Sequence, residues 1–527
     1  MREETDPPPQ QPPPVEELMQ ELRSKATELL LREEWEESVH VYTQLINLCQ
    51  HPDHLPKLRK SLCLALSNRA EARFRLRDFA EALKDCEEAS RINETAHSKS
   101  LLCKGKILLA LNRYSIALDC FKAALLDPHP NGGNLETLNA YVDRCKKLES
   151  QSKTGSFDLS DWVINGFPGK PPELAEYIGA LQIKRSELSG RGLFATKNID
   201  AGTLLFVTKA IAIERGILSS KDSDDNAQMV MWKDFVQKVV ESATISPRIR
   251  HLISALSTGE EEEELEVPEI DIFRPETEEI GQSNEKVDMV RLMSTLDVNS
   301  LVEDSVSAKV LGKNSDYYGV GLWLLASFIN HSCIPNARRL HVGDYLLVHA
   351  SRDVKAGEEI TFAYFDVLSP LDKREEMSRT WGFHCGCKRC KFEQLVCSRQ
   401  EMEEIEMGLR RGTDVGGAIS RLEEGMRRWM VRGKEKGYVR ASFWDAYCEA
   451  YASDKSARRW GSRIPAADVA VDSVVEATGI DERVSKVLIQ GSKRSGTSVM
   501  DMDKVLKLGR GLYGKVVKKH AMKRLLS

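Results

Sequence analysis

Three cysteines within six residues carry the strongest chemical signal in the sequence. Cys385, Cys387 and Cys390 fall in the run CGCKRC. Thiolates are good zinc ligands, and three thiols this close together would be an oxidation liability without a metal. The spacing therefore predicts a metal site. Structural zinc takes four tetrahedral ligands, so one further ligand is expected from elsewhere in the chain.

Three further motifs precede this cluster. They are a glycine-rich turn at 189–194 (SGRGLF), a polar tetrad after an apolar run at 328–333 (FINHSC), and a turn with a strand-like run at 357–364 (GEEITFAY). Each motif alone is consistent with an ordinary element: a tight hairpin, a turn, or a turn and a strand. Their chemical meaning depends on their order and on the elements that bring them together.

The composition limits the class of protein. The chain has 527 residues, and 75 Lys and Arg against 80 Asp and Glu leave a net charge of -5. This length predicts two or three domains, and the charge balance excludes a bulk attraction to nucleic acids or membranes. The acidic, proline-rich start differs from a secretory signal, and the longest apolar run, 320–329, is too short to cross a bilayer. We expect a soluble intracellular protein, in the nucleus and/or the cytoplasm, with reduced cysteines.

Residues 16–150 have a helical period that repeats three times. Aligning the copies places Trp35, Phe79 and Tyr114 at one aromatic site. Small residues occupy two further sites, with Ala26, Ala70 and Gly105 at the first and Ser38, Ala82 and Ala117 at the second. This pattern resembles three tetratricopeptide (TPR) repeats, in which small residues let two helices approach and an aromatic side chain fills the gap. The cysteines on these helices are interpreted as buried packing rather than metal ligands.

The four motifs after the repeats, taken in order, are the signature series of the SET domain. From about 181 to 391 the sequence resembles SET-domain protein lysine methyltransferases. The SMYD-like branch is the nearest, because the run YFDVLSPLDKREEMSRTWGFHCGC at 364–387 resembles that branch's link to its last cysteines. SMYD proteins carry a cysteine-rich MYND zinc finger inside the SET region, but 204–320 contains no cysteine, so this finger cannot form. The order of domains resembles TPR-SET proteins.

This resemblance implies an α+β fold. An all-α array of TPR helix pairs is followed by a mainly β SET domain with a helical insert, a zinc-bound post-SET segment and C-terminal helices. The expected boundaries are a disordered proline-rich tail at 1–15, TPR repeats at 16–150, a linker at 151–178, the SET domain at 179–380 with its insert at about 214–318, the post-SET segment at 381–397 and C-terminal helices at 398–527.

Two charged segments have open interpretations. The acidic run 260–264 is either a solvated loop or a histone-docking surface. The 24 residues after Asp503 carry eight Lys or Arg and no acid, and they form either a solvated helix face or a nucleic-acid contact. We predict no specific nucleic-acid ligand and no membrane contact.

The resemblance assigns roles to individual residues. The implied cofactor is S-adenosylmethionine (SAM), and its expected contacts are Gly190, Arg191, Gly192, Leu193, Asn330, His331 and Phe383. Ser327 and Phe362 are candidates for the channel of the substrate lysine. Cys333 is the candidate fourth ligand of one structural zinc, whereas Cys397 lies beyond a helix-prone segment and is a poorer ligand.

Tyr364 is the predicted catalytic residue. A phenol with a pKa of about 10 stays neutral at pH 7. Its oxygen can orient the amine of a substrate lysine and accept contacts from the polarised methyl group. The amine itself must lose its proton first, which a dry channel favours.

The implied function is that of a SAM-dependent protein-lysine N-methyltransferase acting on histone or non-histone lysines, with TPR repeats that dock proteins. The alternative is a TPR interaction scaffold with a catalytically silent SET fold. Chaperone-binding TPR domains hold a C-terminal carboxylate, and Arg23, Asn68 and Lys99 stand at matching sites, whereas Thr27 and Cys103 depart from that pattern. A chaperone C-terminal peptide and a protein substrate are both candidate ligands of the repeats.

Overall fold

The computed structural model describes eleven stretches of the chain, which are 15–50, 55–92, 97–126, 135–165, 171–217, 225–260, 265–275, 286–303, 317–410, 414–487 and 502–526. Residues 1–14 of the predicted tail and 261–264 of the acidic run lie outside them. The chain divides into two compact units, Met1–Ser150 and Gln151–Ser527.

The first unit is built from helix pairs. Its helices are α1 Val15–Leu31, α2 Trp35–Cys49, α3 Leu55–Arg75, α4 Phe79–Ile92, α5 His97–Ala110, α6 Tyr114–Leu125 and α7 Leu135–Thr154, the last of which continues into the second unit. Consecutive helices pack against each other, so each pair buries its apolar faces locally. The predicted all-α array is confirmed.

The three copies of the repeat share one geometry. Trp35, Phe79 and Tyr114 each begin the second helix of a pair. Two residues earlier in each copy, a residue with a φ near +60° turns the chain between the helices, at Glu33, Arg77 and Asn112. The small residues of both predicted sites are buried, which allows the two helices of a pair to approach closely.

The second unit contains eleven described strands. They are β1 Tyr177–Ile178, β2 Leu181–Arg185, β3 Arg191–Ala195, β4 Leu204–Lys209, β5 Ala212–Ile217, β6 Leu301–Val302, β7 Tyr317–Leu322, β8 Asn330–His331, β9 Ala337–Val342, β10 Tyr345–Ala350 and β11 Thr361–Phe362. They form several small sheets with the orders β1-β4-β10-β9, β5-β7-β6, β2-β3 and β11-β8. One apolar core, which includes Phe206, Trp323 and Phe362, lies between these sheets and the insert helices.

The helices of the second unit flank this core. Within the insert lie α9 Asp225–Ile245, α10 Pro247–Ser254 and α11 Met289–Asn299, and α8 Ser160–Ile164 precedes the strands. After the strands come α12 Leu371–Thr380, α13 Lys388–Val396, α14 Arg399–Arg410, α15 Val415–Arg428, α16 Lys434–Ser442, α17 Trp444–Ala452, α18 Asp454–Trp460, α19 Ala467–Thr478, α20 Met502–Tyr513 and α21 Lys519–Leu526. Residues 482–487 are also helical. None of the helices in the described residues is long and apolar enough to cross a membrane.

One short parallel pairing positions the central motifs. Strand β8 pairs with β11, with Asn330 opposite Thr361 and His331 opposite Phe362. This register places the polar tetrad beside the end of the run GEEITFAY. Because both strands are only two residues long, the surrounding core rather than the ladder holds the pair in place.

The predicted linker at 151–178 is ordered in its described part. It includes α8, and Phe157 and Leu159 are buried in a second apolar cluster with Val516 and Met522 of the C-terminal region. The Leu159 N–H donates to the Val516 carbonyl at 2.8 Å. The sequence does not reveal this packing, because a Ser- and Gly-rich composition resembles a linker whatever lies against it.

Candidate active site and metal centre

The glycine-rich turn closes the hairpin of β2 and β3. Gly190 has a φ of +46°, a conformation that glycine adopts without strain. At Gly192, a Cβ atom would lie 2.4 Å from Oε1 of Glu359 and 3.3 Å from the amide nitrogen of Asn330. The absence of a side chain at Gly192 therefore makes room for two side chains of later motifs.

Asn330 and Glu359 hold this turn in place. The Asn330 side-chain amide donates to the carbonyls of Ser189 and Arg191, at 3.0 and 3.2 Å, and to the Glu359 carboxylate at 2.7 Å. The Ser186 hydroxyl donates to the same carboxylate at 2.8 Å. Burial raises the pKa of Glu359, and the hydrogen bonds from Asn330 and Ser186 oppose this shift.

His331 joins the tyrosine motif to the cysteines. Its Nδ1 accepts a hydrogen bond from the Tyr364 backbone N–H at 3.0 Å. In the neutral ring, Nε2 then carries the hydrogen, and this atom lies 3.3 Å from Sγ of Cys333. The ring stacks on Phe365 with centroids 4.2 Å apart. Both ring nitrogens are therefore used within the protein, a role that the sequence did not predict.

The four predicted cysteine ligands come together. Their Sγ atoms all lie within 4.8 Å of one another, and Cys333 is 3.7 Å from Cys385 and 3.6 Å from Cys390. A tetrahedral zinc with Zn–S bonds of about 2.3 Å holds its sulfurs about 3.8 Å apart, so these separations fit. Hydrogen bonding from Cys385, and then from Cys387 and Cys390, lowers the pKa of the Cys333 thiol well below its ordinary value. This group can hold a metal ion.

The surroundings of the sulfurs favour thiolates. Cys387 is the N-cap of α13 and Cys390 lies in the first turn, where the helix dipole stabilises negative charge. The guanidinium of Arg374 donates to Sγ of Cys390 at 3.0 Å. Cys397 lies at the other end of α13 and packs against the C-terminal core, and its burial raises its pKa to about 12.

Two cavities meet at Tyr364. The larger, of about 880 Å³, lies between the glycine turn, the polar tetrad and residues 380–387. The smaller, of about 540 Å³, lies between residues 335–339, 362–368 and 478–483. Among the described residues, only Tyr364 lines both. Its hydroxyl donates to the Ile329 carbonyl at 2.8 Å, and burial raises its pKa above the ordinary value, so the phenol stays neutral.

The residues predicted for the cofactor site, the lysine channel and the metal site are distributed between the two cavities. The wall of the larger cavity includes Arg191, Ser327, Asn330, His331, Phe383, Cys385 and Cys387. Phe362 lines the smaller cavity. Gly190, Gly192 and Leu193 belong to the hairpin behind the wall, and the Leu193 carbonyl accepts from the Ile360 N–H at 2.7 Å. Ser327, predicted for the lysine channel, thus lies on the larger cavity, and its buried hydroxyl has no hydrogen-bond partner in the described part of the protein.

Sequence reasoning missed three groups in this region. Asn299, at the end of α11, lines the larger cavity and donates to the Ser257 carbonyl at 2.7 Å. Trp381 lines the same cavity, 5.4 Å from the Tyr364 ring, and is 41% exposed. The Glu359 carboxylate accepts a hydrogen bond from the Asn330 side chain. Two of the three groups lie beside motifs that the sequence singles out, since Trp381 comes four residues before Cys385 and Glu359 lies within the run GEEITFAY, whereas nothing in the sequence points to Asn299.

The comparison with known proteins agrees with this geometry. The family model for the SET domain matches residues 190–365. The chain contains a SET domain. Its motifs span the hairpin, the polar tetrad and Tyr364, and the post-SET cysteines follow directly. The helical array precedes the SET domain, and 204–320 contains no cysteine for a MYND finger.

Curated relatives of the chain include proteins with methyltransferase names. A protein named methyltransferase from Gibberella zeae is 23% identical over 458 residues, which cover 81% of this chain and 60% of that protein. A SET and MYND domain-containing protein of Dictyostelium discoideum is 36% identical over 20% of this chain and 32% of its own length. Human histone-lysine N-methyltransferase SMYD3 is 35% identical over 18% of this chain and 23% of its own length. The chain thus spans 60% or less of these relatives.

A solved structure also matches the helical array. The TPR2B domain of yeast Sti1 is 23% identical, with 24% of this chain and 95% of that chain covered and a TM-score of 0.21. A score this low carries no structural argument. The repeat assignment rests on the helix pairs of the chain itself.

Gly192 provides a test of the hairpin geometry. Gly192→Ala would push a methyl group against the Glu359 carboxylate, and we expect it to lower stability by about 1–3 kcal/mol, as overpacking does. The matched control is Gly216→Ala in β5, where the nearest atom is the flexible Met231 sulfur at 3.0 Å. Thermal unfolding of both variants checks this. Equal midpoints for the two would contradict the close packing of Gly192, Glu359 and Asn330.

Proposed function

We propose that this protein is a SAM-dependent protein-lysine N-methyltransferase whose TPR repeats dock other proteins. Tyr364 is its catalytic residue, and the post-SET cysteines hold one structural zinc. The observation that carries this proposal is the position of Tyr364 between two cavities, because methyl transfer needs a donor and an amine that meet from opposite sides.

The larger cavity suits a cofactor of the size and polarity of SAM. Its volume, about 880 Å³, lies within the range of small-molecule sites. Its wall combines Asn330 and His331 with the aromatic side chains of Phe383 and Trp381. The unpartnered Ser327 hydroxyl leaves a buried polar atom for a ligand to satisfy. When bound, SAM would supply a methyl group on a cationic sulfonium.

Tyr364 would orient the reaction without changing its protonation state. Its hydroxyl hydrogen is engaged by the Ile329 carbonyl, so the lone pairs of the oxygen remain available as acceptors. Burial keeps the phenol neutral, because it raises the pKa. A neutral, fixed acceptor can align a lysine amine and stabilise developing positive charge nearby.

The smaller cavity would receive the lysine side chain. Phe362 lines it, and the Arg339 guanidinium lies over the Phe362 ring, 5.2 Å from its centroid. Asp366, Asp481 and Glu482 on the same wall would raise the pKa of an entering lysine ammonium. The Arg339 cation and the apolar Phe362 ring act in the opposite direction and favour the neutral amine. These residues would thereby exclude water and prepare the nucleophile.

Tyr364→Phe tests the catalytic assignment. We expect methyl transfer to fall about 100-fold or more, since one fixed polar group at the reacting atoms is lost. SAM affinity, measured by calorimetry, should change by less than about threefold because the ring remains. Transfer is measured with SAM labelled in its methyl group on proteins of a cell extract.

The control for this variant is Tyr438→Phe, a buried tyrosine on α16. It should transfer methyl groups at the wild-type rate. Absence of SAM binding by zinc-loaded wild-type protein would instead favour the scaffold with a silent SET fold.

The zinc assignment is tested by metal content. We expect one zinc per wild-type chain, and a loss of most of it in Cys387→Ser, because a structural site needs all four thiolates. Cys397→Ser is the matched control on the same helix and should retain the metal. Mass spectrometry of the native protein gives the stoichiometry. Equal zinc in the two variants would contradict the assignment.

The TPR repeats offer a site for an acidic C-terminus. Side chains of three helices meet at the Tyr42 hydroxyl, to which the Asn68 amide donates at 2.9 Å and which lies 3.4 Å from the Thr27 hydroxyl. The Lys99 ammonium donates to the Asn68 side-chain oxygen. Burial raises the pKa of Tyr42, and the charge of Arg23 opposes this shift. Arg23 and Lys99 thus bring two cations to one surface, which suits a carboxylate.

A peptide experiment tests this docking. The probe is SRMEEVD, named as the HSP90 peptide bound by the first TPR of Spaghetti. We expect the free acid to bind better than its C-terminal amide, and Lys99→Ala to weaken binding about tenfold or more. Lys104→Ala, on the same helix, is the control. Binding is measured by fluorescence anisotropy. Equal affinities for the free acid and the amide would contradict carboxylate binding and leave a protein substrate as the candidate ligand.

A further inference from the structure

Three charged side chains are completely buried behind the cysteine cluster. Arg374 lies on α12, and Arg389 and Glu393 lie on α13, each with a side chain 0% exposed. Removing such charged groups from water is strongly unfavourable unless their hydrogen bonds to water are replaced. The hydrogen-bond partners of the three side chains therefore indicate their role.

On one side, this buried Arg–Glu–Arg network contacts the cysteines. Arg374 donates to Sγ of Cys390 at 3.0 Å, to Oε2 of Glu393 at 2.5 Å and to the Ser369 carbonyl at 2.9 Å. Two guanidiniums and one carboxylate leave a net charge of +1. A zinc ion with four thiolates carries a net charge of -2, so a bound metal would place an anionic centre beside the positively charged network.

On the other side, the network contacts the segment that follows Tyr364. Arg389 donates to Oε1 of Glu393 at 2.8 Å and to the Val367 carbonyl at 2.6 Å. Its third nitrogen donates to the Ser442 hydroxyl of α16 at 2.8 Å. Val367 is three residues from Tyr364, and its neighbour Asp366 is paired with Arg483 at 2.6 Å. Contacts with Arg389 and with Arg483 thereby fix residues 365–368.

We propose that Arg374, Glu393 and Arg389 are positioning residues that couple metal binding at the cysteines to the placement of Tyr364. The inference rests on the proposed zinc site. When the metal leaves, it no longer fixes Cys390, and Arg374 loses one of its three fixed hydrogen-bond acceptors. Because Arg374, Glu393 and Arg389 are hydrogen-bonded in series, the hold of Arg389 on the Val367 carbonyl then weakens. The Tyr364 segment loosens as a consequence.

The test combines zinc release with amide hydrogen exchange in the full-length protein. Arg374→Lys keeps the charge but cannot contact Cys390, Glu393 and Ser369 together, and we expect zinc transfer to a chelator to be about 10–100-fold faster. Arg379→Lys, at an exposed position of α12, is the matched control. A release rate within twofold of that control would overturn the role of Arg374.

Arg389→Lys tests the other half of the network. With zinc still bound, we expect the rate of amide hydrogen exchange in residues 362–368 of this variant to rise about tenfold. Removal of zinc from the wild type should raise the rate in the same residues to a similar extent. Exchange in α15 should stay unchanged, whereas general destabilisation would raise it too. If Arg389→Lys does not fold, Ser442→Ala removes one partner of Arg389 and should produce the same local change.

The outcomes separate this inference from the function on which it rests. Wild-type protein without zinc would contradict the metal site itself. Zinc-bound wild type with the same exchange in 362–368 before and after metal removal would contradict the coupling and leave the metal site standing.

Discussion

Charge compensation at four clustered sulfur atoms is the constraint on which the site depends. Four thiolates within 4.8 Å of one another repel strongly, and cations or hydrogen-bond donors must surround them. The chain provides such partners in Arg374, the Nε2 of His331 and the first turn of α13. These groups come from segments far apart in sequence. The cysteines therefore join the polar tetrad, the Tyr364 segment and the post-SET helix into one block.

Contacts with that block fix the position of Tyr364. Its backbone N–H is held by His331, and its hydroxyl is held by the Ile329 carbonyl. The residues that follow it are fixed by Arg483 and Arg389. A side chain fixed at this many points needs no rearrangement to act as an acceptor, which is the condition for electrostatic preorganisation.

The walls of the two cavities come from different parts of the chain. Residues 256–259 and 297–299 of the helical insert complete the larger cavity, and residues 478–483 complete the smaller one. Neither stretch contains a recognisable motif. The residues of the motifs therefore line the part of each cavity near Tyr364, whereas the insert and the C-terminal helices complete the walls.

The sequence by itself determined the helix pairs and the three clustered cysteines, because each depends on residue type at short spacing. The SET assignment followed from the order of four motifs, and Cys333 as the fourth ligand followed from that resemblance. Trp35, Phe79 and Tyr114 predicted three helix pairs through a local repeat, and three cysteines in CGCKRC predicted a metal site through thiolate chemistry. Only the tertiary structure decided that Glu359 fills the space at Gly192, that His331 bridges Tyr364 and Cys333, and that Arg374 and Arg389 lie buried beside Glu393. Some of these contacts join residues far apart in the chain, such as Gly192 with Glu359 and His331 with Tyr364. A charged side chain also looks the same in sequence whether water or a buried partner balances it.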